Sequence, residues 1–159
     1  MTPRIEVLAE KKLVVMQMRM SLAENKMGML WGGFMPRRKE IENVIGSDLY
    51  SMVVYDKGYF ENFCFTNVFT RVAAVEVSEF GAIPEKMEAI VLAEGLYAVF
   101  EYKGMSNDPA IFNYIYSTWL PSSEYVLDDR PHFEVLGEKY KNNDPSSEEE
   151  IWIPVKLKH

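Results

Sequence analysis

Apolar and polar positions follow two periods along this chain, and the switches between them mark its elements. Arg4 to Ser21 is rich in Val, Leu, Ile and Met and is interrupted at Ala9-Glu10-Lys11-Lys12, which predicts two strands joined by a short turn. From Asn25 to about Ile45 the residues Met27, Leu30, Trp31, Phe34, Ile41, Val44 and Ile45 recur at spacings of three, four and seven, a helical period. Pro36 breaks or restarts that helix, and Gly46 is placed to cap its end. β-Branched and aromatic residues then predict strands over Leu49 to Tyr55 and Phe69 to Val77. Between these strands, Asp56 to Asn67 carries Tyr59, Phe60, Phe63 and Phe65, more aromatic surface than a solvated turn requires. Such a segment either packs as a satellite cluster or folds over a ligand cavity as a lid.

After a connector at Phe80 to Pro84 the pattern starts over. Lys86 to Ala93 and Leu96 to Lys103 read as a strand pair turning at Glu94-Gly95. Asn107 or Asp108 is placed to cap a helix with Pro109 at its first position; Ile111, Phe112, Ile115, Tyr116 and Trp119 share one face, and Pro121 stops it. His132 to Glu138 and Glu150 to Leu157 read as two more strands, separated by the polar stretch Lys139 to Glu149, which reads as a mobile loop. Strand, strand, helix, strand, strand thus occurs twice, in half-repeats of about 1–80 and 81–159. Phe34-Met35-Pro36 is echoed by Trp119-Leu120-Pro121. The expectation is a single α+β domain whose halves join their sheets, place both helices on one face and leave a cleft near a pseudo-twofold axis.

Charge and composition then narrow the function. The 159 residues are 48% hydrophobic and 13% aromatic, with a formal charge of −7. The densest basic run is only Arg37-Arg38-Lys39, so a nucleic-acid-binding surface is not expected, and a neutral or cationic small molecule suits the mean field better than an anion. Cys64 is the single cysteine, which excludes an intrachain disulfide; between Phe63 and Phe65 it reads as a small buried hydrophobe. His132, beside Pro131, reads as a surface imidazole, and neither it nor the terminal His159 has a partner at metal-ligand spacing, so neither metal nor cofactor is expected. No apolar run approaches the ~18 residues that span a bilayer, and Met1 to Lys12 lacks a signal-peptide core, so a soluble cytoplasmic protein is expected.

The informative feature is an acid inside an apolar strand. In His132-Phe133-Glu134-Val135-Leu136, alternation puts Glu134 and Leu136 on one side and Phe133 and Val135 on the other. In the last strand Ile151, Ile153 and Val155 oppose Trp152 and Pro154. If the Ile and Val faces cover the helices, Glu134 and Trp152 both point away from them, beside the cleft. A carboxylate next to an aromatic ring is a sound receptor for an organic cation. A carboxylate facing water on an open sheet accounts for the same pattern. Glu101, in Phe100-Glu101-Tyr102, reads as an outward strand residue, and Trp31, Tyr55, Tyr97, Tyr116 and Trp119 sit at core spacing. Ten Met, three Trp, nine Tyr and nine Phe still exceed what a small core needs and suit a pliable apolar pocket.

Ile83-Pro84-Glu85-Lys86-Met87-Glu88 followed by Gly95 to Gly104, then Trp119 to Tyr125, Arg130 to Val135 and Ile151 to Lys156, taken in succession, resemble the GyrI-like, AraC-type effector-binding domains. The resemblance covers nearly all of the second half, and Ala73 to Val77 of the first half also fits. It implies a duplicated β-α-β-β module, an antiparallel sheet of about eight strands with two main helices, and a drug- or metabolite-binding cleft between the halves. It implies Glu134 as the recogniser of lipophilic cations, Trp152 as an aromatic wall, and Trp31, Tyr55 and Tyr97 as weaker wall candidates. Regulatory members carry a helix-turn-helix domain ahead of this module; here the first strand begins within a few residues of Met1, so DNA binding in cis is not expected. Three functions follow from the resemblance: a stand-alone binder of hydrophobic, preferentially cationic compounds; a hydrolase of electrophilic xenobiotics with Glu134 as general acid or base and Tyr97 or Tyr116 as hydrogen-bond donors; and a gyrase-inhibitor-like module engaging a protein partner, for which the acids of Asp144 to Glu150 are the one hint.

Overall fold

The eight period-two segments become strands of one antiparallel sheet, joined by a short ninth strand that the pattern does not predict, Tyr125–Leu127, in a computed structural model that describes residues 2–105, 108–142 and 144–158. They are β1 (Arg4–Leu8), β2 (Lys11–Ser21), β3 (Leu49–Tyr55), β4 (Val68–Val77), β5 (Glu88–Leu92), β6 (Gly95–Lys103), β7 (Tyr125–Leu127), β8 (His132–Leu136) and β9 (Glu148–Leu157). The helix α1 (Met27–Phe34) buries Leu30 and Phe34, and continues as a tight 3-10 turn, Met35–Glu40, with Pro36 at its start. The helix α2 (Ala110–Tyr114) runs on through a π-helical turn, Ile115–Trp119, and a last α-turn, Leu120–Ser122, one residue beyond Pro121. The Asp108 carboxylate accepts the Ala110 N–H at 2.9 Å, and Pro109 stands just before the first helical residue. Asn107 and His159 lie outside the described residues.

Strand order along the sheet is β1-β6-β9-β8-β3-β4-β2-β5, with β7 attached beside β9. Exchanging first-half strands for second-half ones reverses that order onto itself, so the twofold axis runs through the β3–β8 ladder, where Ser51 faces Glu134 at the centre of the register. The expected hairpin of the fifth and sixth strands does not form. β5 pairs with β2 and β6 with β1, because each half lends its first strand to the other half's edge. Leu8 of one edge strand and Leu92 of the other share a single core cluster with Tyr50, Met52, Val99 and Phe133, so the sheet curls around that face.

Both helices lie on the opposite face. Directly paired residues share a face, and the pairings Met16–Ala73, Ala73–Ser51, Ser51–Glu134, Glu134–Ile151 and Ile151–Phe100 trace one row across the sheet. α1 covers one end, packing Leu30 and Phe34 on Ala73; α2 and its π-turn cover the other, packing Ile111 and Ile115 on Phe100 and Ile151. Ser51 and Glu134 are left between them.

Helix α1 does not extend to Ile45 as expected. Ile41 is extended, Val44 bridges Val77, and the Ile45 N–H donates to the Glu76 carbonyl at 2.9 Å, so this stretch rides on the end of β4 instead of coiling. Gly46 takes a left-handed φ of +66°, but in the turn entering β3 and not as a helix cap. Residues 139–142 and 144–147 form hydrogen-bonded turns in which the Ser147 hydroxyl accepts the Lys141 N–H at 2.8 Å and the Asp144 carboxylate accepts the Ser146 N–H at 2.8 Å. No helix among the described residues is long and apolar enough to cross a membrane.

Phe34 is fully buried whereas Phe65 is 68% exposed. Phe34→Ala is expected to cost about 3–5 kcal/mol in urea unfolding and Phe65→Ala to stay within about 0.5 kcal/mol; equal losses would contradict the packing of α1 on the sheet.

Candidate binding site

A hollow of about 710 Å³ opens over the uncovered middle of the row, within the size range of small-molecule sites. Met27, Trp31 and Met35 line it from the first helix and its 3-10 turn, Phe112 and Tyr116 from the second helix, and Met20, Tyr55 and Phe69 from the strands. Ser51, Arg71, His132 and Glu134 supply the polar groups of its floor. Unbranched methionines and flat rings on opposed helices give walls that adjust to a ligand's shape.

Of the residues singled out from sequence, Glu134, Trp31 and Tyr55 meet here. Trp152 also lines the hollow and Tyr97 does not, and the expectation that Glu134 and Trp152 share a face is corrected. The β8–β9 register pairs Glu134 with Ile151 and Phe133 with Trp152. Glu134 therefore stands on the helix face, while the Trp152 ring stacks on Phe133 at 5.3 Å and meets Tyr97 at 5.8 Å in the core of the other face. Tyr97 is fully buried, donates its hydroxyl to the Pro131 carbonyl at 3.0 Å, and carries the Arg130 guanidinium 4.7 Å from its ring centre. Neither proposed phenol donor serves Glu134 by a direct hydrogen bond: Tyr97 is on the wrong face, and the Tyr116 hydroxyl bonds His132 Nδ1 at 2.9 Å.

His132 is not a surface imidazole. It is buried against the edge of Tyr55, and burial pulls its pKa down to about 4, so the ring is neutral near pH 7. Cys64 is likewise not buried; it is exposed, its Sγ 3.2 Å from the Thr66 hydroxyl. The aromatic segment 56–67 divides. Tyr59 packs on Met20, Val53 and Phe69, Phe60 reaches across to the Tyr116 ring at 6.2 Å, and Phe63 and Phe65 stay exposed.

Two charged residues were missed. Arg71 follows the same signal as Glu134, a charge in an apolar strand: Phe69, Arg71 and Ala73 share a side of β4. Its Nη2 donates to the Ser51 hydroxyl at 2.7 Å, and its Nε is sealed from solvent with no hydrogen-bond partner. Burial lowers the guanidinium's pKa, and the charge of Glu134 opposes that fall. Glu149, one of the acids of Asp144 to Glu150, is buried beside Glu134 with one oxygen unpartnered. Burial, then a hydrogen bond to Glu134 and the nearby Glu134 charge, pushes it up to about 9. Of the other acids in that stretch, Glu150 pairs with Arg4 at 2.8 Å. Among the described residues no group of His, Cys, Asp and Glu is arranged to hold a metal ion.

A family model described as a GyrI-like small molecule binding domain matches residues 1–156. No curated protein matches the chain significantly. Among the solved structures that share the fold are the following three. SAV2435 bound to tetraphenylphosphonium is 17% identical, with a TM-score of 0.70 and coverage of 98% of this chain and 94% of that one. The EcmrR C-terminal domain is 13% identical, with a TM-score of 0.72 and 98% of each chain covered. A hydrolase from Listeria innocua is 10% identical, with a TM-score of 0.61 and 98% and 92% covered.

The raised pKa of Glu149 carries a stability signature. Its folded-state value lies above the ordinary 4.5, so its contribution is full below about 4.5 and is lost as pH rises toward about 9. Glu149→Gln keeps the shape without the charge. Thermal unfolding is expected to show this variant gaining on the wild type with rising pH, by a few degrees in Tm at pH ~8; parallel profiles would contradict the assignment.

Proposed function

Since the chain belongs to the GyrI-like family of small-molecule binding domains, we propose that the hollow between α1 and α2 is its ligand site and takes hydrophobic compounds that carry positive charge. The observation that carries this reading is Glu134 standing uncovered on the sheet between two helices that present Met27, Trp31, Met35, Phe112 and Tyr116 toward it. Desolvating a carboxylate is costly unless a counter-charge arrives with the ligand, so an organic cation gains both Coulomb attraction and apolar contact there. Trp31 and Tyr55 supply rings over which such a cation can lie. The binding of tetraphenylphosphonium by SAV2435, a protein of the same fold, supports the class of ligand.

A second reading, hydrolysis, draws on one feature: a carboxyl pushed up to about 9 beside Glu134 could give and take a proton, and a hydrolase shares the fold. Both readings meet in one experiment. Calorimetric titration with tetraphenylphosphonium is expected to give saturable binding to the wild type, about tenfold weaker binding to Glu134→Gln and weaker binding to Trp31→Ala. Equal affinity for wild type and Glu134→Gln would remove the counter-charge role. Glu134-dependent consumption of an electrophilic ester or lactone, followed by mass spectrometry, would turn the reading to hydrolysis.

A further inference from the structure

A cavity whose floor held Glu134 alone would select simple cations, but this floor holds a second charge. Arg71 lies one strand away on β4, tied to the Ser51 hydroxyl that stands directly opposite Glu134. Among the described residues the two charges form no direct ion pair. Arg71 nevertheless senses the field of Glu134. The remaining titratable neighbours add no charge near pH 7: Glu149 holds its proton, and His132, Tyr55 and Tyr116 are neutral. The floor is thus a separated plus and minus of zero net charge under apolar walls.

This arrangement has a consequence for the ligand. A plain cation that neutralises Glu134 leaves Arg71 buried with a like charge near it, and the cavity as a whole charged. A ligand carrying both signs leaves neither group uncompensated, and uncompensated charge in a low-dielectric site is the costlier state. The donor capacity of Arg71 is also unspent, since its Nε–H finds no acceptor in the protein. A guanidinium presents a planar fork of donors that suits a carboxylate.

Resting on the reading of this hollow as the ligand site, we propose that its preferred ligands are amphoteric aromatic compounds, with a cationic group set against Glu134 and a carboxylate or similar anionic acceptor set against Arg71. Arg71 is then a specificity-determining residue, and the distance between the two groups on the floor sets the spacing that a ligand must match.

Rhodamine B, a zwitterion at neutral pH, and its ethyl ester, a cation with the same ring system, form a matched pair for the test. Fluorescence polarisation with wild type, Arg71→Gln, Arg71→Lys and Glu134→Gln reads the preference, with circular dichroism confirming each fold. The wild type is expected to bind the acid roughly tenfold more tightly than the ester. Arg71→Gln is expected to abolish that preference, Arg71→Lys to keep part of it, and Glu134→Gln to weaken both dyes. The comparison on the wild type needs no variant, so misfolding of a variant leaves the test in force. Binding of the ester as tightly as the acid, or a preference that survives in Arg71→Gln, would overturn the amphoteric assignment while leaving the cavity as a cation site. Binding of neither dye would overturn both.

Discussion

The ladder between β3 and β8 is the contact on which the rest of the molecule depends. It joins the two halves, and the pairing of Ser51 with Glu134 at its centre fixes which residues of each half meet on the helix face. A slip of one residue would turn Glu134 into the core and Phe133 into the hollow. Register here is secured from the other side of the sheet, where Tyr50, Met52 and Phe133 join residues from nearly every strand in one cluster. The same curl that encloses this cluster holds the two helices apart. The hollow is thus the geometric remainder of two helices covering the ends of a row and neither covering its middle.

Polar residues in that middle are expensive, and the structure offsets the expense in different ways. Arg71 is bonded to Ser51, His132 is kept neutral and bonded to Tyr116, and Glu149 keeps its proton beside Glu134. Glu134 and the unpartnered Nε of Arg71 face the hollow, where something from outside the chain can meet them. Buried groups that would improve stability if exchanged for apolar ones are where function is to be sought.

Much of the architecture was legible in the sequence because strand alternation and turn residues are local. The order of elements, the α+β class and the helices on one face follow from them, and an acid inside an apolar strand pointed to Glu134. The same argument applied to Phe69-Thr70-Arg71 would have found Arg71. What was not legible depends on partners distant along the chain. Alternation tells which residues of one strand share a face, but only register relates one strand to the next, and it pairs Trp152 with Phe133 and not with Glu134. The exchange of β1 and β5 between halves looks, along the chain, like two hairpins. His132 and Cys64 were misjudged for the same reason: their burial is decided by Tyr116 and by the outward-turned end of the 56–67 segment, not by their immediate neighbours.

The most direct measurement is a crystal structure of the protein grown with rhodamine B. Density for the dye is expected between Trp31 and Tyr116, over Ser51, with its xanthene cation toward Glu134 and its carboxylate toward Arg71. Dye seated instead on the opposite face near Tyr97 and Trp152, or in the hollow with its carboxylate turned away from Arg71, would contradict it.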